Sequence, residues 1–259
     1  MTASNKTKML LMFDYDGTLV PIAPTPAEAR LCESRRRLLS RLCRSKGVAV
    51  ALITGRSLSD IRKLVSVPNL IMSANHGFEI RRGGKTCFPC GKGMRRNFEK
   101  LGREIDLSLG KMPGVVVEQK GFSIAVHYRL SPRKSWKGIE RAVRRLSLAY
   151  RRRFGWEVTA GKRVWEVRPA SRWNKGDAAL WIWRRFAPSS MPAYIGDDVT
   201  DEDAFRALKG KGLTVVVGRR RKTHASYRVA DVADVWRLVR VLIGICFEKP
   251  AARARRRRG

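Results

Sequence analysis

Two patterns of apolar and polar positions alternate along this chain and divide it into three stretches. In the first, Met9–Phe13 and Val48–Ile53 are short runs without a polar position, each the length of a buried strand. Between them Leu31, Leu38, Leu39 and Leu42 recur at helical spacing. Ser57 is placed to cap a short helix carrying Leu58, Ile61, Leu64 and Val65. A further strand is expected over 70–74. The last stretch repeats this rhythm, with a helix over Lys175–Phe186, a strand over 193–195, a helix over 201–208, a strand over Leu213–Val217 and a helix over 233–245. Wholly apolar strands separated by helices predict a parallel sheet covered on both faces.

The middle stretch, from about residue 82 to 168, changes period. Over 122–130, Phe122, Ile124, Val126 and Tyr128 point one way and Ser123, Ala125, His127 and Arg129 the other, as in an antiparallel sheet with one free face. Gly121 and Gly161 sit where strand pairs can turn. A helix over 132–154 carries Ile139, Val143, Leu146 and Tyr150 on one side and many arginines on the other. The reading is therefore α/β: a Rossmann-like parallel-sheet core over 1–81 and 169–250, an inserted α+β cap over 82–168, and a basic tail over 251–259 expected to be disordered.

With 259 residues, 44% of them hydrophobic, the chain has apolar material enough for a real core. Its 55 Lys and Arg against 22 Asp and Glu leave a net charge of +33. That surplus bears on partners rather than fold, and nucleic acid, an anionic membrane and plain solvated arginine faces all stay open. The scarce acids are concentrated twice, at Asp14 and Asp16 and again over 197–203. Cys32, Cys43, Cys87, Cys90 and Cys246 are irregularly spaced. The Cys87-Phe88-Pro89-Cys90 segment has no second pair or histidines to complete a zinc site, so reduced thiols in a cytoplasmic protein are expected. No apolar run approaches ~20 residues and no signal-peptide pattern opens the sequence, so neither a membrane span nor export is expected.

Four segments carry candidate chemistry. Asp14-Tyr15-Asp16-Gly17-Thr18 directly follows an apolar strand, and ligands gather at the carboxyl ends of such strands. Two carboxylates one residue apart can hold a divalent cation and offer a nucleophile; an Asx turn is the plainer reading, and the glycine position does not suit a calcium EF-hand. Gly196-Asp197-Asp198-Val199-Thr200-Asp201-Glu202-Asp203 follows the strand at 193–195. It either complements a helix dipole or, paired with Asp14 and Asp16, shares a magnesium ion. Lys175 follows the good N-cap Asn174, where a cation opposes the helix dipole unless an anion faces it. Thr54-Gly55-Arg56 ends a strand and suits either a phosphate oxygen or a plain turn.

In this order the four segments resemble the haloacid dehalogenase superfamily of phosphatases. The likeness narrows to trehalose-6-phosphate phosphatases through the opening 14–22 with Pro26 and Ala29, the Asn75-His76-Gly77-Phe78-Glu79-Ile80 segment, and the stretches 117–129, 161–169 and 196–205. It spans Leu10 to about Trp236. The resemblance implies Mg2+-dependent hydrolysis of trehalose 6-phosphate on a haloacid dehalogenase-like core. Asp14 would be the nucleophile and Asp16 the acid and base, while Thr54 and Lys175 stabilise the phosphoryl oxygens. The metal would be held by Asp14, the Asp16 backbone carbonyl and Asp197, and the sugar gripped by Glu118, Lys120 and Glu166. Alternation supports Glu166, which lies opposite Trp165 and Val167. Two departures stand out: Thr54 replaces the usual Ser, and Arg219, Arg220, Arg221 and Lys222 replace a small glycine-containing loop. Rival readings are a phosphatase of sucrose-phosphate or mannosyl-phosphoglycerate type and a basic nucleic-acid-binding protein on a degenerate phosphatase fold. The arginine-rich surface, including 219–222 and the tail, is expected to bind polyanions non-specifically.

Overall fold

The computed structural model describes residues 8–23, 25, 28–161, 163–170, 173–219 and 222–247. The basic tail, Pro26, Lys162, Arg220, Arg221 and the side chain of Cys246 lie outside the described residues. In chain order the first elements are β1 (Met9–Phe13), α1 (Glu33–Arg44), β2 (Val48–Ile53), α2 (Leu58–Val65), β3 (Ile71–Ala74), β4 (Glu79–Arg82) and β5 (Lys85–Cys87). Then come α3 (Lys92–Leu109), β6 (Val116–Gln119), β7 (Ile124–His127), α4 (Trp136–Phe154), β8 (Glu157–Gly161) and β9 (Val164–Arg168). The chain continues through α5 (Lys175–Phe186), β10 (Met191–Gly196), α6 (Glu202–Leu208), β11 (Leu213–Val217), β12 (Tyr227–Val229) and α7 (Val232–Phe247).

The large sheet has the order β12-β11-β10-β1-β2-β3-β4-β5, parallel from β12 to β3 and antiparallel at the β4–β5 edge. Alternation along β1 divides its side chains between two cores. Leu11 and Phe13 pack with Leu39 and Leu42 of α1, Ile61 of α2 and Trp236 of α7. Leu10 and Met12 pack with Ala178 and Ile182 of α5 and Phe205 of α6. All four β1 residues are essentially inaccessible, and a fully buried side chain of this kind contributes about 1.5–3 kcal/mol. Ser57 caps α2 by accepting from the Asp60 N–H, as expected.

The smaller sheet, β6-β7-β9-β8, is wholly antiparallel. One face is covered by α3 and α4, where Phe98, Ile105, Ile139 and Val143 meet Ile124, Val126, Trp165 and Val167. The strand expected over 122–130 pairs only over Ile124–His127, because a turn closed from the Ser131 N–H to the Tyr128 carbonyl ends it. Phe122, Ile124, Val126 and Tyr128 are all buried as expected, but so is Ala125 on the other face, while Ser123, His127 and Arg129 are not. The helix expected over 132–154 begins at Trp136, after a single tight turn.

Three elements depart from the sequence reading. Residues 79–87 form a hairpin that extends the large sheet, so residue 82, the expected start of the insert, falls inside that sheet. We place the division after Cys87. The long helix α3 and the short edge strand β12 stand where no element was expected. Cys32, Cys43, Cys87 and Cys90 are free thiols. Among the described residues no helix is long and apolar enough to cross a membrane.

Candidate active site

Because β1, β2, β3 and β10 run parallel, their carboxyl ends share one edge of the large sheet. There they deliver Asp14, Thr54, Asn75 and Asp197, the place where ligands bind in such sheets. Asp14 is 4% exposed and Lys175 3% exposed. Lys175 reaches this edge from the first turn of α5, which Asn174 and Asp177 cap reciprocally. Its Nζ donates to Asp14 Oδ1 and to Asp201 Oδ1, both at 2.8 Å. The anions facing this N-terminal lysine are therefore two carboxylates.

Asp201 organises the site from beneath. It is fully buried, and each of its oxygens accepts twice. Oδ1 takes Lys175 Nζ and the Tyr194 hydroxyl at 2.7 Å, while Oδ2 takes the backbone N–H groups of Asp197 at 3.0 Å and Asp198 at 2.9 Å. The sequence reading gave Asp201 no role, since five acids in seven residues do not reveal which one turns inward. The tight turn over Val199–Asp201 decides it.

Carboxylate oxygens of Asp14, Asp197 and Asp201 lie within 4.8 Å of one another. Among the described residues Asp14 Oδ2 and Asp197 Oδ2 have no donor, whereas Asp197 Oδ1 accepts from the Thr18 hydroxyl at 2.9 Å. Three carboxylates against one ammonium leave the pocket strongly negative. Burial pushes the Asp14 carboxyl up to about 7, against the pull of Lys175. Burial also pushes Asp197 up to about 6. Lys175 is itself buried, but its two carboxylates outweigh that and hold it firmly protonated. An all-oxygen donor set with surplus negative charge suits a small hard cation. Gly17 makes room for this group: at φ +79 a Cβ there would stand 2.0 Å from Asp197 Oδ2.

The Asp16 carboxylate is outside this acidic group. Arg56 grips it with two hydrogen bonds of 2.6 Å, from Nε and Nη2. Thr54 is buried, and its hydroxyl accepts from the Arg56 N–H at 3.2 Å. Arg56 closes the Thr54-Gly55-Arg56 segment, and its partner becomes visible only when β1 and β2 lie side by side.

Above this edge opens a cleft of about 510 Å3, with Gly55, His76 and Lys175 on the core side and Lys120, Ser123, Glu157, Glu166 and Arg168 on the cap side. The cap register explains that set. Ala125 lies opposite Glu166, and Glu157 opposite Arg168, so the free face of the small sheet carries charges in rows. Of the three sugar-binding candidates, Lys120 and Glu166 line the cleft. Glu118 stands beside it, half exposed, bonded to His127 Nε2 at 3.0 Å and 3.6 Å from Lys120 Nζ. Glu157 and Arg168, 3.6 Å apart, complete the cap wall and were not singled out in the sequence.

On the core side Asn75, His76 and Gly77 take left-handed conformations in succession, with φ of 49, 55 and 103°. Non-glycine residues in this region carry backbone strain of order 1–3 kcal/mol, and such strain clusters at functional sites. Buried Glu79 accepts from Asn75 Nδ2 at 3.1 Å and pairs with Arg95 of α3, tying this turn to the cap. His76 lies over Gly55, where a Cβ would meet its ring at 2.7 Å.

The sequence profile described as trehalose-phosphatase matches residues 12–233. An uncharacterized glycosyl hydrolase of Mycobacterium tuberculosis is 36% identical over 228 residues, which cover 85% of this chain and 17% of that protein. The chain thus spans under a fifth of that relative's length. A probable trehalose-phosphate phosphatase D of Arabidopsis thaliana is 31% identical, across 93% of this chain and 69% of the relative. The solved trehalose-6-phosphate phosphatase of Aspergillus fumigatus superposes with a TM-score of 0.61 at 31% identity, covering 92% of this chain and 93% of that one. With that profile matched along most of its length, on a parallel-sheet core that carries an inserted α+β cap, the chain belongs to the trehalose-phosphatase family.

Proposed function

We propose that the chain hydrolyses trehalose 6-phosphate to trehalose and phosphate through a phosphate ester of Asp14. The observation that carries this reading is the Asp14 carboxylate, buried at the end of β1 with Oδ1 held by Lys175 and Oδ2 left for attack. Attack of Oδ2 on phosphorus forms the aspartyl-phosphate and breaks the bond to the sugar oxygen. Asp16 gives that oxygen its proton and later takes one from the water that attacks the aspartyl-phosphate, restoring the carboxylate. In this arrangement both Asp16 oxygens accept from Arg56, so one of these bonds must be released for Asp16 to carry that proton. Lys175 and the Thr54 hydroxyl stabilise the phosphoryl oxygens as charge moves onto them.

Asp14, Asp197 and the Asp16 backbone carbonyl would hold Mg2+. When bound, the cation neutralises charge so that a carboxylate and a phosphate can approach each other. Asp201 is already saturated with donors and serves to position Lys175 and the 197–198 backbone.

The cap wall supplies the sugar reading. Glu166 and Lys120 offer an acceptor and a donor to hydroxyls in the cleft, and Glu118 holds Lys120 from behind. Phosphate release from trehalose 6-phosphate, with and without added Mg2+, tests the reading beside sucrose phosphate, mannosyl-phosphoglycerate and an aryl phosphate. Trehalose 6-phosphate should be cleaved with the highest kcat/KM, and only with the cation present. Preference for another sugar phosphate would keep the chemistry and reassign the substrate, and release independent of divalent cations would remove the metal.

A further inference from the structure

We propose that the outer face of α4 is a docking surface for the phosphodiester backbone of nucleic acid, separate from the catalytic cleft. Ile139, Val143 and Ser147 turn inward from this helix. On the opposite side Lys137, Arg141, Arg145 and Arg152, all exposed, follow at intervals of four, four and seven residues. At 3.6 residues per turn these intervals keep the four cations in one stripe, about 22 Å long, with neighbours about 6 Å apart along its first half. Exposed Leu148 is the one apolar side chain within the stripe.

Among the described residues no ion pair joins any of the four to a carboxylate. The single acid on the helix, Glu140, is bound by Arg144, which also lies over the Trp165 ring. Arg133 and Arg153 are likewise occupied by aromatic faces. The stripe is thus a row of cations left over after the local pairs are made. It is also unfavourable in isolation: Lys137–Arg141 and Arg141–Arg145 are like charges one turn apart, and the first turn of α4 has Lys137 and no acid where the helix dipole favours acids. A linear polyanion removes both costs.

The geometry favours a phosphate chain over a lipid surface. An interfacial helix buries an apolar face edged with Trp, Phe or Leu, but the apolar face of α4 is already covered by the cap sheet and α3. No aromatic ring lies within the stripe, so base stacking and sequence preference are not expected. The inference does not depend on the substrate reading, because the stripe lies on the side of the cap sheet away from the cleft.

The test is titration of a fluorescent single-stranded DNA of mixed sequence, about 20 nucleotides long, at several salt concentrations. One variant carries Lys137→Glu, Arg141→Glu, Arg145→Glu and Arg152→Glu. A second, with the same change in charge, carries Arg37→Glu, Arg41→Glu, Arg44→Glu and Lys46→Glu on and just after α1, all exposed positions. The wild type should bind with steep salt dependence. The α4 variant should lose at least about tenfold at low salt, its log–log slope falling by about 3 for four lost phosphate contacts. The α1 variant should keep most of the affinity. Aryl phosphate hydrolysis should be unchanged in both, which certifies the fold, and the four α4 positions changed to Gln repeat the test should reversal prevent folding. Equal weakening by the two variants, or an α4 variant that binds like wild type, would overturn the proposal. So would binding to phosphatidylserine vesicles without binding to the oligonucleotide.

Discussion

At the edge of the large sheet Lys175 and Asp201 are buried and bonded directly to each other, whereas on the free face of the small sheet the charged groups stand half in solvent and pair loosely. Lys175 and Asp201 are almost inaccessible and meet at 2.8 Å. Glu118 and Lys120, and Glu157 and Arg168, are 3.6 Å apart and each side chain is 39–52% exposed. The difference follows from the two kinds of sheet. A parallel sheet covered on both faces buries much of what its strand ends carry, and polar groups as deeply buried as Lys175 and Asp201 pair with one another. An antiparallel sheet covered on one face leaves every second side chain free. Groups held as firmly as Lys175 are preorganised, and groups held as loosely as Glu157 and Arg168 are free to change partners.

Replacing one group at each level should break that contrast in a graded way. The largest effect is expected for Asp14→Asn, which removes the proposed nucleophile and should lower turnover of every phosphate ester by about four orders of magnitude or more, with an unchanged circular dichroism spectrum. Substantial residual turnover would place the nucleophile elsewhere. Next comes Asp201→Ala. It strips Lys175 of one carboxylate and leaves the Tyr194 hydroxyl without its acceptor. Breaking a buried charge network of this kind costs about 3–5 kcal/mol, to be read by chemical denaturation together with loss of activity. A variant as stable as wild type would show that the network does not hold the core edge together.

Smaller and more selective effects are expected on the cap. Glu166→Ala and Arg168→Ala should each lower kcat/KM for the sugar phosphate by about tenfold to a hundredfold, the value of a lost hydrogen bond to a charged group. Hydrolysis of an aryl phosphate should stay within about twofold. Equal losses on both substrates would make these residues part of the chemistry. The smallest effect concerns Glu79, whose carboxyl burial pushes above its ordinary value of 4.5 despite Arg95. A folded-state pKa above the unfolded one favours folding at low pH, and that advantage is lost as pH rises through the folded pKa. Glu79→Gln does not ionise. Its stability relative to wild type should therefore rise with pH from about 4.5 upward, as followed by melting temperature across a pH series. A difference independent of pH would mean that Glu79 folds without a shifted proton.

The large sheet was readable because its strands are continuous apolar runs, and β1, β2, β11 and α5 fall where the pattern places them. Helix α3 was missed although Phe98, Leu101, Ile105 and Leu109 have helical spacing. Gly93 and Gly102 interrupt it with poor helix formers. Gly102 is there for packing: Gln119 of β6 approaches so closely that a Cβ would meet its side chain at 2.4 Å. Strand β12 is three residues at a sheet edge, too short for any period to register. For the candidate site, Asp14, Thr54 and Asp197 follow apolar strands and Lys175 follows a helix N-cap, local patterns that the sequence displays. The bond of Arg56 to Asp16 joins residues 40 apart, and those of Asp201 and Arg168 depend on a tight turn and a strand register, neither of which local spacing reveals.

The contrast between a rigid chemical edge and an adaptable cap rests on Asp14 forming the bond to phosphorus. Rapid acid quench of the enzyme during turnover of trehalose 6-phosphate with Mg2+, followed by peptide mass analysis, addresses that step most directly. A phosphoryl group, labile to hydroxylamine, is expected on the peptide containing Asp14 and should be absent in Asp14→Asn. Turnover at full rate with no phosphorylated peptide at any quench time, or with the phosphoryl group on another residue, would contradict that expectation.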